Sequence, residues 1–235
     1  TYCVGMRLDR GLIFMSDTRT NAGVDDVSQV CKMRHWEIPG ERAITLLSAG
    51  NLATTQSVVS LLDERTKAPS ERDPSILSAP SMFQVATIVG NTLREVIADL
   101  KGEGQTAKSP FAASLIVGGQ IMGSEPRLFL IYPEGNFIEA GDDSPFFQIG
   151  ETKYGRPIIV RTYDKSMPFE DAIRLLMVSF DSTIRSNLAV DLPLDLAVHE
   201  RDSYRVSHQQ RVEANDPYFR RISEQWSISL REAVN

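Results

Sequence analysis

The first residue of the chain is a threonine, and it combines two groups that nucleophilic catalysis requires. The Thr1 hydroxyl is a potential nucleophile. If the Thr1 amine is free, its ordinary pKa of about 7.7–8.0 makes it a base close to neutral pH. One residue would then supply both the nucleophile and the base that activates it. Thr1 is therefore the candidate nucleophile of this sequence.

Two charged residues have the properties that would support this chemistry. A lysine such as Lys32 would disfavour protonation of a neighbouring amine. A carboxylate such as Asp17 should accompany a buried lysine, because an unpaired buried charge is costly. The same residues also have an interpretation without catalysis, in which Asp17 begins a turn, Lys32 is an ordinary strand lysine and Thr1 has no chemical role. The types alone leave both interpretations open.

Other catalytic chemistries have weaker support. The three histidines, His35, His199 and His208, are far apart, and neither HExxH nor CxxC occurs, so we expect no metal site and no cofactor. No GxSxG motif indicates a Ser-His-Asp triad. The glycine-rich "GGQIMG" at 118–123 is followed by a strand pattern, whereas a dinucleotide site needs a helix there. We expect a tight hairpin with a turn at Gly118-Gly119.

Composition narrows the class of protein. Apolar residues at 42% and charged residues at 24% are typical of a folded globular chain. A net charge of −6 without basic clusters argues against nucleic acid as a partner. Two cysteines do not make a disulfide framework, and neither a signal peptide nor a membrane span is evident. We expect a cytoplasmic protein that does not bind membranes.

A hairpin is expected to position Thr1. "YCVGMRL" and "LIFMSD" alternate like strands on either side of Asp9-Arg10-Gly11, which fits a three-residue loop. That loop would place Leu8 opposite Leu12, Cys3 opposite Asp17 and Thr1 opposite Arg19. Thr1 and Asp17 would then project from the same face, because faces alternate along a strand.

The remaining pattern groups strands in runs. "VCKMRHWEI", with Lys32 inside it, and "ERAITLLSAG", which ends at Gly50, indicate strands; helices are predicted over about 51–66 and 81–100. Three short strands are expected within 111–141, a connection over 144–164, a helix from Pro168, a strand at "LPLDLAVHE" and a helix capped by Asp216. Without βαβ alternation, this order predicts an α+β fold of antiparallel sheets covered by helices. We expect one domain over 1–235, with a C-terminal helical extension over about 212–235.

The same residues resemble the proteasome-type, N-terminal-nucleophile (Ntn) hydrolases. "GLIFMSDTRTNAG" is similar to that family's strand-and-turn run, and "LLSAGNLATTQ" is similar to its glycine-containing turn into a long helix. "TYCVGMRLDRGL", "SDTRTNAGVD" and the C-terminal helix after "LPLDLAVHERDSY" resemble the bacterial Anbu, or ancestral β-subunit, group. The resemblance implies a four-layer αββα sandwich.

The family pattern also implies roles. Thr1 would be nucleophile and base, Lys32 would lower the proton affinity of the amine, and Asp17 would orient Lys32. The backbone N–H of Gly50 would face the developing oxyanion. The Arg19 backbone would help to hold Lys32, while Asn21 and Gly50 would grip the substrate backbone.

Two regions depart from the family pattern of supporting polar groups around the nucleophile. They contain "QIGETKYG" and "STIRSNLAVDLPLD". Glu151, Asn187 and Asp191 are the nearby candidates to replace those groups.

The function expected from residues and resemblance together is a threonine-type amidohydrolase, most readily an endopeptidase for peptides or unfolded protein. The alternatives are an Ntn hydrolase of a small amide and a weakly active or non-catalytic assembly subunit. The resemblance further implies a homo-oligomer, either a ring or an open spiral.

Overall fold

The computed structural model describes residues 1–21, 27–67, 74–101 and 111–235. Its first part runs β1 (Tyr2–Leu8), β2 (Gly11–Asp17), β3 (Arg19–Asn21), β4 (Val27–Gln29), β5 (Met33–Ile38), β6 (Arg42–Gly50), α1 (Leu52–Lys67) and α2 (Met82–Lys101). Its second part runs β7 (Ala113–Ile121), β8 (Arg127–Ile131), β9 (Phe137–Glu139), β10 (Phe146–Gly150), α3 (Arg156–Thr162), α4 (Phe169–Ser186), β11 (Leu194–Glu200), β12 (His208–Val212) and α5 (Pro217–Val234).

Two antiparallel five-stranded sheets form the centre of the molecule. Sheet I has the order β10-β1-β2-β11-β12, and sheet II has the order β5-β6-β7-β8-β9. Strands β3 and β4 form a separate two-stranded ribbon directly after β2. Because β1 and β2 lie inside sheet I, the start of the chain is anchored on both sides by strand pairing.

The molecule has four structural layers, which are helices, sheet I, sheet II and helices, and an apolar core lies between each adjacent pair. Alternate residues of sheet I, including Val4 and Ile13, pack beneath α3, α4 and α5. The opposite residues of β1 and β2, including Cys3 and Phe14, pack between the two sheets. The outer face of sheet II packs against α1 and α2. This arrangement confirms the predicted α+β fold and its αββα layering.

The opening hairpin exists, but the predicted register is wrong by one residue. Leu8 lies opposite Gly11 and Cys3 lies opposite Ser16, so the loop has two residues, Asp9 and Arg10. Gly11 belongs to β2 because it pairs with Glu200 in β11 as well as with Leu8. A Cβ at Gly11 would lie 2.0 Å from the His199 carbonyl oxygen, so this glycine permits close strand approach.

The predicted turn at Gly118-Gly119 is also wrong, since both glycines lie inside β7. A Cβ at Gly118 would lie 2.8 Å from Leu128 Cδ1 and 2.9 Å from Phe14 Cζ. Phe14 belongs to the other sheet, so the glycine makes room for close packing of the two sheets. The chain turns later, at residues 122–124, before β8.

Other boundaries differ more modestly. Lys32 precedes β5 and is not inside the strand. The predicted connection over 144–164 contains β10 and α3. Asp216 caps α5 as predicted, because its carboxylate accepts the backbone N–H groups of Tyr218 and Phe219. None of the helices in the described ranges is long and apolar enough to cross a membrane.

Candidate active site

Thr1 lies at the end of sheet I, where contacts with two segments hold its backbone. Its amine donates a hydrogen bond of 2.7 Å to the carbonyl oxygen of Ala189, beyond the end of α4. Its carbonyl oxygen accepts the Glu151 backbone N–H at 2.8 Å, just after β10. The Thr1 side chain remains 22% exposed. Thr1 is therefore partly exposed on a well-anchored backbone.

A buried ion pair lies next to the Thr1 amine. Lys32 Nζ donates to Asp17 Oδ1 at 2.7 Å and also to the carbonyl oxygen of Arg19. The Asp17 side chain is fully buried and that of Lys32 is 6% exposed. Asp17 Oδ2 lies 3.9 Å from the Thr1 amine nitrogen. One carboxylate thus faces two cationic groups.

Asp17 reaches the amine even though the register that predicted this proximity is wrong. With Cys3 opposite Ser16, Asp17 belongs on the Tyr2 side of the ladder and not on the Thr1 side. Asp17 is the last residue of β2, however, and its Oδ1 accepts the backbone N–H of Tyr2 at 2.8 Å. The carboxylate therefore lies along the β1 backbone, close to both Thr1 and Lys32.

The environment lowers the pKa of the Thr1 amine below its ordinary value of 8.0. Burial is the largest cause, because it disfavours the charged form; the Lys32 charge lowers the pKa further and the Asp17 charge opposes both. The sequence suggested a lowering by Lys32 and did not anticipate the larger effect of desolvation. A larger share of the amine is consequently neutral at pH 7.

Thr1 opens into a cleft of about 340 Å³ between the β3-β4 ribbon, the end of β6 and the start of α1. We call this the Thr1 cleft, and its lining includes Thr1, Thr20, Cys31, Lys32, Gly50 and Gln56. Lys32 is the only charged side chain among the described lining residues, and Asp17 neutralises it. The described lining is therefore of mixed polarity and close to electrically neutral.

Gly50 lies at the end of β6 and lines the same cleft. Its φ of +119° is rarely adopted by residues with a side chain. A Cβ there would lie 2.5 Å from the Ala112 carbonyl oxygen and 2.7 Å from Ala113 Cα. Both the conformation and the lack of space require glycine at this position.

The remaining predicted residues fall on the β3 segment. The Arg19 carbonyl accepts from Lys32, as the family pattern implies, and its guanidinium pairs with Asp191 at 2.8 Å. Asn21 is the last residue of β3, but its side chain lies outside the described residues. The predicted catalytic and substrate-binding roles of all these residues stay predictions.

Ala189 is the contact of Thr1 that sequence reasoning missed. It contributes a backbone carbonyl, so its residue type carries no signal. The signal available was Asn187, two residues earlier, which follows α4 and accepts the Ala189 N–H on its side chain at 2.8 Å. Among the described residues, no cluster of three or more His, Cys, Asp or Glu could hold a metal ion.

Comparison with known protein families gives a direct match. A family model described as "Proteasome subunit" matches residues 1–192. The chain is 24% identical over 219 residues to a proteasome subunit beta from Methanocaldococcus fervens, covering 91% of this chain and 87% of the relative.

Solved structures show a closer similarity over the whole chain. Anbu from Yersinia bercovieri is 47% identical with a TM-score of 0.94, covering 100% of this chain and 97% of that one. Anbu from Hyphomicrobium sp. strain MC1 is 49% identical with a TM-score of 0.92 and the same coverage. A chain from the helical assembly of the Anbu complex from Pseudomonas aeruginosa is 46% identical with a TM-score of 0.91, covering 100% and 95%.

Proposed function

Because the chain belongs to the proteasome family, within its Anbu (ancestral β-subunit) group, we propose that it is a threonine-type peptidase acting through Thr1. The observation that carries this proposal is the placement of Asp17. Its buried carboxylate lies 2.7 Å from Lys32 Nζ and 3.9 Å from the Thr1 amine, and Thr1 and Lys32 both line a substrate-sized cleft. This arrangement has the parts that an N-terminal nucleophile needs.

The first step is attack on a substrate carbonyl. The Thr1 hydroxyl transfers its proton to the neutral Thr1 amine while Oγ bonds to the amide carbon. The resulting ammonium then protonates the leaving nitrogen as the C–N bond breaks. Water, deprotonated by the same amine, hydrolyses the ester that remains on Thr1.

Burial keeps the amine available as a base near neutral pH because it lowers the amine pKa. The Lys32 charge lowers this pKa further, whereas the Asp17 charge raises it by more than Lys32 lowers it. Asp17 holds Lys32 beside it without leaving a buried positive charge unpaired. The opposing effect of Asp17 on the amine pKa is smaller than that of burial.

Gly50 is the proposed source of the oxyanion hole. This proposal is supported by the position of Gly50 at the end of β6, where it lines the same cleft as Thr1. A backbone N–H costs no reorganisation when charge develops on the carbonyl oxygen. Asn21 and Gly50 are the proposed contacts for the substrate main chain.

The expected substrates are peptides or unfolded protein segments with neutral side chains at the cleft. The described lining of the Thr1 cleft is nearly neutral and of mixed polarity, so among these residues there is no counter-charge for an acidic or basic side chain. A small non-peptide amide is the alternative substrate class.

We also propose a cytoplasmic homo-oligomer, in a ring or an open spiral. The Anbu complex of Pseudomonas aeruginosa forms a helical assembly, and this chain covers 95% of its subunit. Light scattering and electron microscopy of the purified chain would distinguish a ring, a spiral and a monomer.

Peptide hydrolysis tests the proposed activity. Wild type is expected to cleave an unfolded, reduced protein and internally quenched peptides, whereas Thr1→Ala is expected to lose at least a thousandfold in kcat. Asn91→Asp, an exposed change on α2, is the matched control and should retain full activity. Turnover of N-acyl amino acids without peptide cleavage would favour the small-amide alternative. A wild type with a free Thr1 amine and no turnover of either class would contradict the proposal.

A further inference from the structure

The contacts that hold Thr1 form a closed circuit. The Thr1 amine donates to Ala189 O at 2.7 Å, and the Ala189 N–H donates to Asn187 Oδ1 at 2.8 Å. Asn187 Nδ2 donates to Glu151 Oε2 at 2.8 Å, and the Glu151 backbone N–H returns to the Thr1 carbonyl at 2.8 Å. Two segments that are distant in sequence, one after β10 and one after α4, thus meet around Thr1.

We propose that Asn187 and Glu151 act as a positioning pair for the Thr1 amine. The inference rests on the proposed function and deepens it. Neither side chain lines the described part of the Thr1 cleft, so the pair acts through the backbone of Ala189 and Thr1.

Local structure explains why Asn187 can serve this role. It follows the last turn of α4 with extended backbone (φ −143°, ψ 112°), and its N–H donates to Thr183 O. From there its side-chain oxygen holds the Ala189 N–H, which turns the Ala189 carbonyl toward Thr1. An aspartate or asparagine is suited to this local turn because its short side chain reaches a backbone group two residues later.

Glu151 is held equally firmly on the other side. It follows Gly150, whose φ is +82° and where a Cβ would lie 2.3 Å from the Thr1 carbonyl oxygen. Its two carboxylate oxygens accept from the Lys153 N–H at 3.1 Å and from Asn187 Nδ2 at 2.8 Å. The Lys153 bond, with the Asn187 bond as a smaller cause, lowers the pKa of Glu151, so it stays an acceptor at neutral pH.

The chemical consequence concerns the direction of the amine lone pair. A neutral amine has two N–H groups and one lone pair, so an N–H committed to Ala189 O restricts rotation about the N–Cα bond. The lone pair can then be kept toward the Thr1 hydroxyl. A displacement of about 1 Å in such a group can cost about a hundredfold in rate.

Exchanging the amide of Asn187 and the carboxylate of Glu151 between the two positions tests the pair. In Asn187→Asp two carboxylates face each other, and we expect kcat to fall about 10- to 100-fold with KM within twofold of wild type. In the double variant Asn187→Asp/Glu151→Gln, the new amide donates to the new carboxylate, and the carboxylate still accepts from Ala189. We expect kcat to return to within about threefold of wild type. Asn91→Asp, which adds the same charge on the exposed face of α2, should leave kcat unchanged.

Two readouts separate this inference from a simple structural role and from the proposed function. Thermal unfolding should show all variants folded, so that a loss restricted to kcat reports positioning. Hydrogen exchange of the Ala189 amide should be at least tenfold faster in Asn187→Asp and should slow again in the double variant, whether or not the protein hydrolyses peptides. Wild-type kcat in Asn187→Asp, or a folded double variant without recovery, would overturn the positioning pair. An inert wild type with the expected exchange pattern would instead refute the proposed function alone.

Discussion

Replacing Lys32 with methionine is expected to destabilise the protein and to abolish activity for a single electrostatic reason. Asp17 is fully buried, and Lys32 Nζ is its cation at 2.7 Å. Breaking a buried pair by removing one partner typically costs about 3–5 kcal/mol. Because the Thr1 amine lies 3.9 Å from the other carboxylate oxygen and compensates in part, we expect about 3 kcal/mol for Lys32→Met.

The double variant Asp17→Asn/Lys32→Met tests whether the unpaired charge of Asp17 causes the loss of stability in Lys32→Met. It removes both charges, so the loss of stability should shrink to about 1–2 kcal/mol. Lys165→Met, at an exposed lysine, is the matched control and should change stability by less than about 0.5 kcal/mol. Urea unfolding at fixed protein concentration measures the three differences. Equal unfolding midpoints for Lys32→Met and wild type would refute this reasoning, as would a double variant less stable than Lys32→Met.

Two further predictions concern the end of β6 and acid stability. Gly50→Ala should lower stability by about 1–3 kcal/mol and kcat at least tenfold, because its φ is +119° and its Cβ would lie 2.5 Å from Ala112 O. Gly40→Ala, with φ +76° but open space around the new Cβ, should cost about 1 kcal/mol and keep full activity, and equal activity losses would contradict the steric argument. His199 is buried, and burial lowers its pKa to about 3. Below about pH 6.5 this histidine binds a proton in the unfolded chain, whereas in the folded chain it stays neutral until about pH 3. Stability should therefore fall by roughly 3 kcal/mol between pH 7 and pH 4 in urea titrations, and His199→Gln should show a clearly shallower decline; equal slopes would exclude His199 as the cause.

The sequence predicted the layering well because apolar periodicity and turn residues are local signals. The register of the opening hairpin was predicted wrongly, because a glycine such as Gly11 suits both a left-handed loop position and a strand. A contact with His199, far along the chain, decides between them. Gly118 is similar, because its role depends on Phe14 of the other sheet.

In the candidate site, too, some residues could be named from the sequence, whereas other contacts depend on the fold. Thr1, Asp17 and Lys32 were named as candidates from residue type and family resemblance, and the structure brings them together. Ala189 could not be identified, because it contributes only a carbonyl placed by the end of α4. Glu151 and Asn187 were named as neighbours, but their bond to each other required the fold.

The most direct test of the central claim is covalent labelling with a peptide epoxyketone, whose stable product requires both a hydroxyl and a free amine on the same residue. Intact mass and peptide mapping should locate one adduct per chain on Thr1, and Thr1→Ala should remain unmodified. If wild type with a demonstrated free Thr1 amine stays unlabelled, or if Thr1→Ala is labelled equally fast, Thr1 is not the nucleophile.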